Sequence, residues 1–283
     1  MRYPVVASKT VLVTGCSSGI GLAAARLLRE RGWLVVPTAR KPGDLERLRA
    51  EDFNPVRLDV ADPASVREAA DEALRVFGGQ IGGLVNNAGF GQPGAMEDLT
   101  REAMRYQFEV NVFGLQELTN RLLPAMRRQG WGRIVNVSSV LGRSSLPFMG
   151  IYAASKYAVE AMSDALRVEL RGTGVSVSIV EPGPIATDFR KNSGDLARSQ
   201  LPFVQSRFAE RYRQRAEGTD PERKLSHAFT KPPEAVAAKI LHALESPRPR
   251  IRYPVTLVAY AVPWLARLLP ASVMDTIMAR RLV

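Results

Sequence analysis

The chain reads as an α/β protein built on a doubly wound parallel sheet, and three observations lead there. Short runs of Val, Ile and Leu alternate with stretches of helical periodicity between residues 10 and 180. Those runs are nearly unbroken by polar residues, as expected of strands covered on both faces. The first run ends in the glycine-rich turn Gly15-Cys-Ser-Ser-Gly-Ile-Gly21, at the start of a strand–helix–strand unit.

Each element has its own signal. Thr10 to Thr14 predicts the first strand, and Leu22 to Arg31 a helix closed by Gly32. Trp33 to Thr38 predicts a second strand and Asn54 to Leu58 a third, ending at Asp59. Pro63 opens a helix to about Phe77, in the first turn where its missing N–H costs least. Gly83 to Asn86 and Arg133 to Val137 predict strands on either side of one long helix around 102–128. Tyr152 to Arg171 predicts a helix, and Val175 to Val180 is a continuous strand run. Parallel neighbours require right-handed crossovers, so the order implies a Rossmann fold. After Pro182 the rhythm stops. Residues 188–230 are charged, lack strong periodicity and read as a lid insertion. A helix over about 233–244, the Pro/Arg stretch 246–252 and an apolar tail follow.

Composition removes several classes of function. The 283 residues are 46% hydrophobic and 24% charged, which suits a folded globular chain and excludes a disordered one. One cysteine, Cys16, excludes an internal disulfide, and with only His227 and His242 no His- or Cys-based metal cluster is expected. The formal charge of +11 is uneven. Residues 1–188 carry 22 basic and 20 acidic side chains, residues 189–283 carry 17 and 8. No aromatic-plus-basic motif accompanies the excess, so nucleic acid is not the expected partner. The start MRYPVVASKTVLVTG lacks a signal-peptide pattern, and a cytoplasmic location is expected.

Two constellations carry chemistry. The glycine turn lets backbone N–H groups at a helix N-terminus face a pyrophosphate. The same residues also spell Gly15-x-Ser17-x-Gly19, a hydrolase elbow, but that reading needs an acid and a histidine downstream. Tyr152-Ala-Ala-Ser-Lys156 sets a phenol and an ammonium four residues apart on one helix face. A nearby cation favours the phenolate, so such a tyrosine can exchange a proton with a carbonyl or hydroxyl oxygen. Asn136-Val-Ser138-Ser139 ends the preceding strand, where a hydroxyl can polarise a substrate oxygen.

The set Thr14-Gly-x-x-x-Gly-Ile-Gly21, Asn86-Asn-Ala-Gly89, Asn111, Ser139, Tyr152, Lys156 and Pro182-Gly183 resembles the short-chain dehydrogenase/reductase family over residues 9–190. The wording around Val13–Gly21 and Tyr152–Glu160 is similar to its hydroxysteroid and retinol dehydrogenase branch. The resemblance implies that Tyr152 is the acid/base, that Ser139 holds the substrate oxygen, and that Ser138 is a structural neighbour. It implies that Lys156 lowers the tyrosine pKa and binds the nicotinamide ribose, and that Asn111 keeps a water in line with Lys156. The cofactor would be held by Gly15, Ser17, Ser18, Gly19, Ile20 and Gly21, with Asn86, Asn87, Ala88 and Gly89 bracing the sheet beside it. Asp59 and Val60 would meet the adenine, and Pro182, Gly183, Ile185 and Thr187 the nicotinamide end.

In the cofactor's binding, an acid at the end of the second strand would select NAD by accepting both ribose hydroxyls. Ala39 stands there instead, followed by Arg40 and Lys41, and an arginine grips a 2′-phosphate. NADP(H) is therefore favoured, with NAD(H) the alternative. Leu146, Phe148, Met149, Phe189 and Phe203 predict an apolar pocket. The expected activity is carbonyl–alcohol interconversion on a steroid-, retinoid- or lipid-like substrate; a non-catalytic nucleotide-binding sensor is the rival. The expected organisation is one oxidoreductase domain over 1–254, with the lid at 188–230 and an apolar helical extension at 255–283. That extension is too short and too interrupted, by Pro263 and Arg267, for a bilayer span of about 20 apolar residues. With Tyr260, Trp264 and the arginines 248, 250, 252, 267, 280 and 281, it suits peripheral membrane contact, packing on the catalytic domain or on a sister subunit being the alternative. The resemblance implies a homodimer or homotetramer assembled through the long helices around 102–128 and 152–171.

Overall fold

In the computed structural model, residues 2–200, 206–217 and 229–279 are described. Seven parallel strands form one sheet in the order β3-β2-β1-β4-β5-β6-β7. They are β1 (Thr10–Val13), β2 (Leu34–Ala39), β3 (Val56–Arg57), β4 (Gly83–Asn86), β5 (Gly132–Val137), β6 (Val175–Glu181) and β7 (Arg252–Pro254). The chain runs outward from β1 to β3, then returns to the other side of β1 with β4, so the sheet's direction of growth reverses between β1 and β4. A crevice opens at the carboxyl ends of those two strands.

The helices are α1 (Gly19–Glu30), α2 (Pro42–Ala50), α3 (Pro63–Val76), α4 (Arg101–Phe108), α5 (Gly114–Gln129), α6 (Gly150–Glu169), α7 (Phe189–Gln200), α8 (Ala209–Glu217), α9 (Glu234–Glu245), α10 (Leu257–Leu268) and α11 (Ala271–Ala279). Strand alternation decides which helices cover which face. Val11, Val13, Val35 and Val135 point to one side and pack on Leu28 of α1 and Ile240 and Leu244 of α9. Leu12, Val36, Leu84 and Ile134 point to the other, against Val66 of α3, Leu118 and Leu122 of α5 and Leu166 of α6. Each such buried side chain contributes about 1.5–3 kcal/mol, so both faces hold the crevice rigid.

Four features differ from the sequence reading. The third strand is shorter than 54–58, since Pro55 has no N–H to give a ladder. The helix over 102–128 is interrupted by a π-helical turn at Glu109–Phe113. Such a turn inserts a residue and re-aims the side chains beyond it; here it buries Asn111 completely. Gly114 just past the turn lies so close to the loop after β3 that a Cβ would stand 1.9 Å from the Val60 carbonyl oxygen. Helices α7 and α8 occupy part of 188–230 despite its weak periodicity, and β7 adds an edge strand directly after the Pro/Arg stretch. The tail forms α10 and α11, of which only Ala259 and Pro263 are buried.

Candidate active site

The glycine turn forms a cradle at the crevice. Gly15 and Gly19 adopt left-handed backbone angles, φ +73 and +58, which only glycine takes without strain. A Cβ on Gly21 would lie 2.2 Å from the Gly15 carbonyl oxygen, one on Gly15 2.9 Å from Ala88 Cα, and one on Gly19 3.0 Å from Thr187 Cγ2. The turn is thus pressed between Asn87-Ala88 and Thr187. Ser18 precedes α1 without capping it by its side chain, and the first turn carries no acid. The helix start, with Ile20 in its first turn, therefore offers N–H groups and a positive dipole end to an anion. This arrangement fits a dinucleotide pyrophosphate. Thr14 locks it from below: its hydroxyl accepts from the Asn87 and Ala88 N–H groups at 2.9 and 2.8 Å. The Asn87 amide donates to the carbonyls of Thr14 and Gly15 at 2.9 and 3.1 Å.

Beside the cradle, the sheet ends and α6 bring four predicted residues into one buried row. Tyr152 is 7% exposed, Ser139 8%, Lys156 5% and Asn111 0%. Burial pushes the Tyr152 phenol up to about 12, while the Ser139 hydroxyl opposes the rise. Burial lowers the Lys156 ammonium to about 8, and Glu160 one turn on works against that. Lys156 Nζ donates to the Val137 carbonyl at 2.8 Å and stands 5.9 Å from the Tyr152 ring centroid. Lysine and phenol thus lie side by side as their spacing requires, but burial raises the phenol pKa, and the group that opposes the rise is Ser139 rather than the lysine. Asn111 Oδ1 accepts from the Phe90 N–H at 3.1 Å, and its Nδ2 donates to the Phe90 carbonyl and Ser155 Oγ at 3.0 and 3.1 Å. A Cβ on Gly89 would meet both Asn111 Oδ1 and Lys156 Nζ. Asn86 braces the layer beneath, donating to Asn136 Oδ1 at 2.9 Å.

The remaining predicted residues surround this row. Pro182 accepts from the Val140 N–H at 2.8 Å, Gly183 sits against Thr256, where a Cβ would be 2.0 Å from its hydroxyl oxygen, and Ile185 bridges to Lys231. Arg40 follows β2, half exposed, 3.9 Å from Asp59 Oδ2 and donating to the Tyr106 hydroxyl at 3.1 Å. Lys41 is exposed at the start of α2, and the Ser17 carbonyl accepts from Arg47 at 3.2 Å. Phe189 tilts over Tyr152 at 5.5 Å between ring centroids, and Leu146 and Met149 pack in the same cluster. Phe148 faces Phe208 and Tyr212 of the α8 region instead; Phe203 and His227 lie outside the described residues. His242, the hydrolase reading's other candidate base, pairs with Tyr253 on edge strand β7 at 2.9 Å. Among the described residues no group of His, Cys, Asp or Glu could hold a metal. Sequence reasoning missed Ser155, Tyr106 and Thr256, whose partners are distant in the chain. It also missed a buried charged cluster of Glu160, Glu181 and Arg252 behind the row.

Comparison with known proteins agrees with this geometry. The family model described as short chain dehydrogenase matches residues 9–197. The chain is 47% identical over 273 residues to the uncharacterized oxidoreductase YbbO of Escherichia coli K12, covering 96% of this chain and 95% of that one. It is 34% identical to human retinol dehydrogenase 8, covering 87% and 81%. It is also 34% identical to the NADPH-dependent 3-dehydrocapnine reductase of Ornithobacterium rhinotracheale, covering 98% and 96%. A short chain dehydrogenase/reductase from Burkholderia phymatum, solved in complex with NAD, superposes with a TM-score of 0.76 at 28% identity, covering 94% of each chain. The parallel sheet, the cradle at its crevice and the family match together make this chain a member of the short-chain dehydrogenase/reductase family, a Rossmann-fold oxidoreductase.

Proposed function

We propose that the protein interconverts a carbonyl and an alcohol on a hydrophobic substrate, with NADP(H) as cofactor. The observation that carries the reading is the buried row of Asn111, Ser139, Tyr152 and Lys156 beside the glycine cradle. When bound, the nicotinamide supplies or accepts the hydride. Ser139 holds the substrate oxygen, and the protonated Tyr152 hydroxyl gives that oxygen its proton in reduction. Lys156 holds the ribose and stabilises the phenolate left behind; Asn111 fixes the Phe90 loop over Lys156 and keeps a water in reach of it. Gly15, Ser17, Ser18, Gly19, Ile20 and Gly21 hold the pyrophosphate, Asp59 and Val60 the adenine, and Asn87, Ala88, Gly89, Pro182, Gly183, Ile185 and Thr187 line the nicotinamide half.

Preference for NADP(H) over NAD(H) rests on Arg40, which follows Ala39 rather than an acid at the end of β2 and is exposed enough to reach a 2′-phosphate, with Lys41 and Ser17 as further donors. The NADPH-dependent relative is compatible with it. The hydrophobic substrate rests on Leu146, Met149 and Phe189 around Tyr152, and the retinol dehydrogenase relative is compatible with that. The 188–230 segment serves as the lid on the 1–254 domain. Phe113, Tyr157 and Val168, exposed on the long-helix face, support self-association through it. No helix among the described residues is long and apolar enough to cross a membrane. Tyr260, Trp264, Leu265 and Leu268 are nevertheless exposed on α10 beside Arg267, in the strongly basic third of the chain. We read that face as lying on an anionic bilayer surface. Loss of NADPH fluorescence with a panel of hydrophobic ketones and aldehydes tests the activity. A protein that binds NADPH but reduces none of them is a sensor and overturns the reading.

A further inference from the structure

The amino end of the sheet, away from the row, holds a cavity that the proposed chemistry does not use. Strand β7 pairs only with Ile179 to Glu181 of β6, so the first half of β6 is an open edge. A space of about 330 Å³ lies against that edge, lined by Arg167, Arg171, Ser176, Tyr3, Pro249 and Ile251. That volume is at the lower end of the range of small-molecule sites, about 300–1,000 Å³. Lys156 and Arg167 are eleven residues apart on α6. At about 1.5 Å per residue the cavity is therefore about 16 Å from the catalytic row along the helix.

Donors in and behind this cavity lack acceptors. Arg171, just past the end of α6, is exposed, and its guanidinium has no partner among the described residues. Arg167 gives Nη2 to Asp164 at 3.0 Å, but that carboxylate is shared with Arg252 at 2.6 Å. Ser176 is 2% exposed and its hydroxyl is buried without a partner. Its register neighbour on β5 is Arg133, which is 1% exposed. Arg133 donates to the main-chain carbonyls of Gly132 and Pro4 at 3.0 and 2.6 Å, its Nε has no acceptor, and no carboxylate pairs with it among the described residues. Its guanidinium stands 5.7 Å from the centroid of the Tyr3 ring that lines the cavity. A buried cation without a counter-charge is costly, and an oxyanion beside it lowers that cost while taking up the idle donors. Tyr3, Pro249 and Ile251, the last 46% exposed, add an apolar wall. We propose that this cavity binds a small phosphate monoester. Arg167 and Arg171 grip the phosphate, whose double charge suits two guanidinium forks better than a carboxylate does. Ser176 donates from the wall, Arg133 supplies charge from behind, and the ester's apolar part lies on Tyr3, Pro249 and Ile251.

Titration calorimetry on the full chain tests this with three probes: phenyl phosphate, inorganic phosphate and benzoate. Each is titrated with and without saturating NADPH, which keeps phosphate out of the glycine cradle. The expected result is saturable binding of phenyl phosphate that NADPH leaves in place, tighter than that of either other probe. Arg171→Gln should weaken it by about tenfold or more, as loss of one charge-assisted hydrogen bond does. Arg171 is on the surface and unpaired, so its variant should melt as wild type does; Ser176→Ala, with a smaller loss of affinity, carries the test if it does not. Absence of saturable binding, or equal binding by wild type and both variants, overturns the site. Binding that NADPH abolishes belongs to the cradle and overturns it too. Benzoate binding as tightly as phenyl phosphate overturns the assignment to phosphate.

Discussion

Replacing Tyr152 by Phe removes one oxygen from the centre of the proposed chemistry and leaves its surroundings nearly intact. The ring is held by Phe189 at 5.5 Å and by Lys156 Nζ at 5.9 Å from its centroid, contacts that phenylalanine keeps. The hydroxyl that faces Ser139 goes, and with it the proton donor. A general acid contributes about 10²- to 10⁴-fold, or about 3–5 kcal/mol of barrier at 1.36 kcal/mol per factor of ten. Stability should change far less, because one lost hydrogen bond is worth about 1 kcal/mol and the cost of burying the hydroxyl disappears with it. That corresponds to a melting shift of about 2–4 °C in a domain of this size. Three measurements decide the matter: kcat/KM for ketone reduction, NADPH affinity by fluorescence, and the melting temperature. Expected are a loss of at least about 100-fold, affinity within a few-fold of wild type, and a near-native melt. Activity within about tenfold of wild type would refute Tyr152 as the donor, and lost activity together with lost fold would show only that the ring position is structural.

Other outcomes depend on particular contacts. Arg40→Asp should invert the ratio of kcat/KM for NADPH over NADH, since it removes the phosphate's cationic partner and adds repulsion; an unchanged ratio would place the preference elsewhere. Reduction should fall off above about pH 8, where Lys156 loses its charge, and not near 12 where Tyr152 ionises; a profile flat to pH 10 would contradict this. Gly114→Ala should lower stability by about 1–3 kcal/mol, because its Cβ would collide with the Val60 carbonyl, and a thermal melt reads it. Flotation should carry wild type with anionic liposomes and release it when Trp264 and Leu268 are both changed to Ser; a tail that ignores liposomes but alters oligomeric mass is a subunit contact instead.

The sequence revealed the features that rest on local spacing. Tyr152 and Lys156 share a face because they are one turn apart, and the glycines of the cradle announce a turn that other residues enter only with strain. Features that depend on distant partners were not legible. Arg252 meets Glu160 across 92 positions, and Arg40 meets Tyr106 across 66, separations over which no periodicity operates. Strand β7 was hidden because Arg-Tyr-Pro is too short to carry a pattern of its own. The π turn around Asn111 was hidden for a different reason: one inserted residue alters the phase of a helix without altering its composition.

The bonds made by Thr14 have a mechanical meaning. One hydroxyl ties the end of β1 to the residues just after β4, at the line where the two halves of the sheet diverge, and both helical layers clamp the same line. A cleft riveted there has a fixed width. Whatever accommodates substrates of different girth must move elsewhere. The available parts are α7, which carries Phe189, and α8, which is latched to the opposite wall where Tyr212 accepts from the Ala95 N–H at 2.8 Å. On the proposed function, reactivity and selectivity are borne by separate pieces of machinery, and changes to the second can accumulate without disturbing the alignment of the first.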